Sequence, residues 1–194
     1  CIGICWSNTC PNMPAWGGID KKIGNNPIIF AVPRSNKAHV VIDCAVSQFS
    51  YGKLEDCRLK GLELPVPGGY DSEGKLTTNP EEIEKTQRVL PMGYWKGSGI
   101  SILLDLINGN SVKKIGTFED EVGLTQIMIA IDPEKGNTTA VTDKIVNDII
   151  SDIKSSVTEK DGEEVYYPGE LELKNIEENL KNGIPVIKEK WDEV

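Results

Sequence analysis

Residues 90–107 read Leu-Pro-Met-Gly-Tyr-Trp-Lys-Gly-Ser-Gly-Ile-Ser-Ile-Leu-Leu-Asp-Leu-Ile. A glycine-bearing turn carries one aromatic ring and one cation, Trp95 and Lys96, and opens into a run that is apolar on nearly every side. Such a run, Ile100 to Ile107, is expected as a short buried helix. Gly97 and Gly99 are expected to leave its first backbone N–H groups unshielded, with Ser98 placed to cap them. Free donors at a helix start beside an ammonium suit a phosphate or carboxylate. Buried helices also begin with Gly and Ser for packing reasons alone, so the stretch by itself leaves both readings open. Two more specific nucleotide motifs do not fit. Lys96 precedes Gly97 and Ser98 without the upstream glycine of a P-loop, and Ile102 stands where a dinucleotide fingerprint needs its third glycine.

A chain of 194 residues with 39% apolar content suits one domain, or one domain with a satellite hairpin, with a real core. Its 21 basic and 30 acidic side chains leave a net charge of −9, which argues against a nucleic-acid surface. No apolar run reaches the roughly 18–20 residues of a membrane span, and no charged-then-apolar leader is visible. The cysteines at 1, 5, 10, 44 and 57 match neither zinc nor iron–sulfur spacing, and there is one histidine. They are expected as reduced core residues of a cytoplasmic protein, with no metal site. The sequence opens on Cys1 and enters a strand-like run without an initiating Met, so it reads as part of something longer.

Strands are expected at Ile2–Trp6, Ile28–Val32 (after the turn Gly24-Asn25-Asn26-Pro27), Val40–Ile42 ending on Asp43, and Leu124–Ile131. The span from Ser47 to Lys60 is loosely helical, and Pro80–Glu84 fits one helical turn. Between them, Leu62 to Pro80 reads as a long irregular loop. Ile145, Val146, Ile149, Ile150, Ile153 and Val157 mark an amphipathic helix capped by Thr142. Leu173, Ile176 and Leu180 mark another, ended by Asn182-Gly183, after which Ile184–Ile187 is expected to return to the sheet. The class is α/β, a mixed sheet with flanking helices.

Few residues suggest chemistry on their own. Asp43, ending a strand, can accept from a ribose hydroxyl or hold a loop. His39 is a natural acid–base suspect, but no nucleophile or carboxylate stands at motif spacing from it. Glu119-Asp120-Glu121 is a possible cation ligand, more simply a solvated charge run. Glu170, in a first helical turn after Gly169, is favoured by the macrodipole and can also accept from a ligand hydroxyl. Trp16 can flank a planar ring or anchor its loop.

Longer blocks carry a resemblance. Ile2-Gly3-Ile4-Cys5-Trp6, Met13-Pro14-Ala15-Trp16-Gly17, the Gly-Asn-Asn-Pro turn, Phe49-Ser50-Tyr51-Gly52 and above all Leu90–Gly99 resemble the C-terminal part of the type 2 malate/L-lactate dehydrogenase family. The likeness runs over nearly every residue from Ile2 to Ile187. It implies the sulfolactate/malate dehydrogenase kind of fold, not a Rossmann fold. It also implies a cytoplasmic homodimer that uses NADH or NADPH to reduce the 2-keto group of a sugar acid, such as 2,3-diketo-L-gulonate, or of a small 2-keto acid. The family's cofactor contacts fall on His39, Val40, Val41, Ile42, Asp43, Cys44 and Ala45, on Trp95 and Lys96, and on Gly169, Glu170 and Leu171.

The sequence also departs from the family pattern. The family's proton donor is a histidine in an upstream Ser-His-Gly motif, which is absent here, and His39 does not match it, so no catalytic residue is assigned. The helix after Asp105 is several residues shorter than the family's before Asn108-Gly109-Asn110, and Glu170 and Leu171 replace other polar types. Residues 1–194 are therefore expected to form the cofactor-binding portion of a longer reductase, inactive alone. The alternative is a non-catalytic remnant that folds, dimerises or binds nucleotide without turnover.

Overall fold

The computed structural model describes residues 1–35, 37–108, 124–133, 139–158 and 162–192. Its strands are β1 (Ile2–Ser7), β2 (Met13–Pro14), β3 (Lys21–Ile23), β4 (Ile28–Val32), β5 (Val40–Cys44), β6 (Gly69–Tyr70), β7 (Leu76–Thr77) and β8 (Gln126–Ile131). Its helices are α1 (Tyr51–Leu59), α2 (Pro80–Thr86), α3 (Trp95–Ile107), α4 (Thr139–Lys154), α5 (Glu170–Asn182) and α6 (Lys188–Trp191). The main sheet has the order β5-β4-β1-β8, with two small antiparallel pairs, β2–β3 and β6–β7. This is the mixed α/β class the sequence pattern implies.

Packing divides the chain into two compact units. One comprises Cys1–Gly3, Phe30–Ile42 and Ala130–Val194, the other Ile4–Ile29 and Asp43–Ile129. The second unit holds the hydrophobic core: Met13, Ile23, Val46, Leu54, Cys57, Leu64, Ile83, Val89 and Leu104. In the first unit, among the described residues, only Ile150 and Arg34 are buried.

Local chemistry explains most boundaries. Pro27 introduces β4 and Pro33 closes it, neither having an N–H to donate. Ser50 caps α1 by accepting from the Lys53 N–H at 3.1 Å. Asn79 caps α2 by accepting from Glu81 and Glu82 N–H groups, with Pro80 at the first helical position. Gly183, at φ 89°, ends α5.

Several expectations need correction. The long loop from Leu62 to Pro80 contains the β6–β7 pair. Thr142 is not a cap, because α4 already begins at Thr139. Ile184–Ile187 does not rejoin the sheet; α6 follows it directly. All five cysteines are free, yet only Cys57 is buried, while Cys1 and Cys10 are exposed. Glu119-Asp120-Glu121 and the Gly109-Asn110 end of the shortened helix lie outside the described residues. Among the described residues, no helix is long and apolar enough to cross a membrane, and no cluster of His, Cys, Asp and Glu could hold a metal.

Candidate functional site

In the second unit the focus is the start of α3. The helix begins at Trp95, five residues before the apolar run, so Gly97, Ser98 and Gly99 lie inside it. Its buried face is the small-residue face: Gly97, Ser98, Ser101 and Leu104. A Cβ on Gly97 would stand 2.3 Å from the Met92 carbonyl oxygen, so only glycine lets helix and turn approach. The larger side chains face outward, with Leu103, Leu106 and Ile107 each more than half exposed, so this helix is not buried on all sides.

The donors expected to be free are also taken. Lys96, Gly97 and Ser98 N–H groups donate to the carbonyls of Gly93, Met92 and Tyr94 at 3.3, 2.9 and 3.2 Å. Ser98 caps nothing; its hydroxyl accepts from the Trp16 N–H at 3.0 Å. What the turn presents is side chains. Tyr94 holds a positive φ of 61° and leans on Trp16 with ring centroids 5.2 Å apart. A positive φ is costly for a bulky residue and persists only where neighbours enforce it. Directly after it come Trp95, 61% exposed, and Lys96, also exposed.

The same unit ties this turn to the exit of β5. Beyond Asp43, Cys44 and Ala45, the Val46 carbonyl accepts from Met92 N–H, and Gln48 N–H donates to the Leu90 carbonyl, both at 2.8 Å. Gln48 Oε1 accepts from Gly93 N–H at 3.2 Å. Asp43 is exposed and lies within β5. Burial, and then the Asp43 carboxylate, push the Cys44 thiol above its ordinary range, which favours the protonated form.

In the first unit the entry of β5 meets the turn before α5. The Val41 N–H donates to the Pro168 carbonyl at 3.1 Å. Gly169, at φ 89°, sits so close that a Cβ there would be 3.2 Å from the Val41 oxygen and 3.4 Å from its nitrogen. Glycine is required twice over, by conformation and by contact. Glu170 holds the turn: one carboxylate oxygen pairs with Lys154 and the other accepts from Tyr167 N–H. Val40 and Val41 are half-buried, while His39, Ile42 and Leu171 are exposed. His39 Nδ1 accepts from the Arg34 N–H at 3.2 Å, which gives the imidazole a turn-holding role.

The structure thus brings His39 and Val41 together with Pro168 and Gly169 in one unit; in the other, the bonds of Val46 and Gln48 to Leu90, Met92 and Gly93 join the chain after Ala45 to the turn before Trp95. Arg34, Asn147, Lys154 and Tyr167, which the sequence reading did not single out, surround the first of these pairings. No motif marks them, because each finds its partner far away in the chain.

The family profile described as malate/L-lactate dehydrogenase matches residues 1–194. A 2,3-diketo-L-gulonate reductase from Klebsiella pneumoniae (strain 342) is 43% identical over 199 residues, covering 100% of this chain and 59% of the relative. Among solved structures, the sulfolactate dehydrogenase of Methanocaldococcus jannaschii is similar with a TM-score of 0.79 and 28% identity, covering 98% of this chain and 56% of that one. The malate dehydrogenase of Pyrococcus horikoshii OT3 has the same TM-score and identity over 99% of this chain and 55% of its own.

Proposed function

We propose, from the premise that this chain belongs to the malate/L-lactate dehydrogenase family, that it binds NADH or NADPH in the service of reducing a 2-keto group. The substrate class is a sugar acid such as 2,3-diketo-L-gulonate, or a small 2-keto acid, and the setting is a cytoplasmic homodimer. The chain spans 59% of the reductase it resembles, so this reading concerns the whole protein of which these residues carry the dinucleotide contacts.

The observation that carries it is the pinning of β5 at Val41 onto the Pro168–Gly169 turn. Two stretches distant in the sequence, both expected from the resemblance to contact the cofactor, meet there through the backbone. An exposed ring and an exposed cation on consecutive residues, Trp95 and Lys96, also fit a planar ligand carrying phosphates. When bound, the reduced nicotinamide supplies the hydride. In one unit the Lys96 ammonium neutralises phosphate and Trp95 offers its face to a ring, with Asp43, Cys44 and Ala45 as further contacts; in the other, the backbone of residues 39–42 with Gly169, Glu170 and Leu171 supplies contacts of its own.

A second reading is dinucleotide binding or self-association without turnover. Hydride delivery to a ketone needs a positioned acid, and the one histidine of these 194 residues accepts at Nδ1 from the Arg34 N–H. In either case Lys96→Ala is expected to weaken NADH binding about tenfold in low salt, with the difference shrinking as salt screens the pair. Calorimetric titration at two ionic strengths measures this, and unchanged affinity at low salt removes Lys96 from the site.

A further inference from the structure

The first unit has almost no interior. Among its described residues only Ile150 and Arg34 are buried, so a cation occupies a place where an apolar residue would ordinarily serve. Among the described residues its hydrogen-bond partners are neutral, and the one carboxylate whose pKa its charge helps to lower, Asp143, is bonded to the neighbouring Ser35 N–H instead. Arg34 Nε and Nη2 both donate to Asn147 Oδ1, at 3.2 and 2.8 Å, and Nη1 donates to the Ala38 carbonyl at 3.4 Å. The guanidinium lies over the Tyr167 ring, 5.4 Å from its centroid. Burying a charge with no carboxylate bonded to it is a costly route to stability. What a guanidinium adds is direction, since its planar fork and flat face fix several partners at once.

Those partners carry the two stretches that meet at β5. Ala38 precedes His39, and Arg34's own N–H holds the His39 ring. Tyr167 precedes Pro168 and Gly169, the residues against Val41. Asn147 stands on α4, whose Asp143 accepts from the Ser35 N–H at 3.0 Å and whose Lys154 holds Glu170. We propose that Arg34 is the positioning residue of this edge: its buried guanidinium joins the turn before β5, helix α4 and the Tyr167 ring, and so sets His39–Val41 in register with Gly169–Glu170. That the register serves a dinucleotide rests on the function proposed above.

The test is amide hydrogen exchange by NMR on the 194-residue chain, with NADH titration alongside. Arg34→Met keeps the length of the side chain and loses the fork and face. It is expected to speed Val41 amide exchange about tenfold while Ser7, bonded to Pro27, exchanges as before. NADH affinity is expected to fall in parallel. Arg34→Lys keeps charge without the fork and is expected to give the same Val41 response. Should Arg34→Met not fold, Tyr167→Leu removes the ring and leaves the Arg34 hydrogen bonds, and Val41 is expected to loosen there too. An unchanged Val41 rate in these variants overturns the inference. So does a rise shared equally by Ser7, which marks general destabilisation. A Val41 response in a chain whose wild type takes up no NADH upholds the role of Arg34 and overturns the reading of the function instead.

Discussion

Asn26 is fully buried with φ 25°, and its side-chain amide reaches three acceptors on α3: the Ser101 carbonyl and hydroxyl at 3.0 and 3.1 Å, and Asp105 Oδ1 at 2.9 Å. This clamp holds the helix that presents Trp95 and Lys96. Burial raises the Asp105 carboxyl above its ordinary 3.8, and the bond from Asn26 offsets this only in part. The folded state therefore binds that proton more tightly than the unfolded chain does. The contribution of Asp105 favours folding in acid and is lost as pH rises from 3.8 through the raised folded value. Asp105→Asn keeps an acceptor for Asn26 and does not titrate. Its urea midpoint is expected to exceed that of wild type at about pH 7, with the gap closing toward about pH 3. A gap independent of pH would show that Asp105 does not titrate as described. At this scale the sequence exposed Trp95, Lys96, Asp43, Gly169 and Glu170, because ring, charge and glycine stand out locally. Arg34 and Asn26 were not legible, since their meaning lies in Asn147, Tyr167 and Ser101, which only the fold brings near.

Elements with local punctuation were read most faithfully. β4 runs from Ile28 to Val32 between two prolines, as expected, and α5 ends where Asn182-Gly183 said it should. Helix α3 was misjudged at its start because two glycines near a helix start look like an unwound turn. Tertiary packing overrode that preference: Gly97 fits against Met92, whereas a Cβ on Gly99 would meet nothing within 4 Å. The two glycines therefore respond oppositely to the same substitution. Gly99→Ala is expected to stabilise the chain by about 0.5–1 kcal/mol, because alanine costs less backbone entropy in a helix. Gly97→Ala is expected to destabilise it by about 1–3 kcal/mol through overpacking against the turn. Denaturant melts of the two variants check this, and equal shifts would mean that the approach of helix to turn is not what holds Gly97 in place.

For the whole molecule, the sheet and its four long strands were legible from β-branched runs bounded by turns, and the division into two compact units was not. The units differ in the interior they own. Among the described residues, one has a core of nine clustered residues, and the other has Ile150 and a buried cation. Pattern alone cannot foresee that difference, because Ile145, Ile149 and Ile153 have the periodicity of a buried stripe and yet are each at least 40% exposed. Within its own unit, Val41 is bonded to Pro168; within the other, the stretch after Ala45 is bonded through Val46 and Gln48 to the turn before Trp95. If the turn of Trp95 and Lys96 seats a dinucleotide as proposed, bound NADH must lie close to Trp95. The direct measurement is NADH fluorescence excited through tryptophan during titration of the 194-residue chain, repeated with Trp95→Phe. Saturable sensitised emission is expected from the wild type, with most of it lost in the variant. A folded wild-type chain that gives no saturable emission, or a variant that keeps all of it, contradicts a dinucleotide seated at this turn.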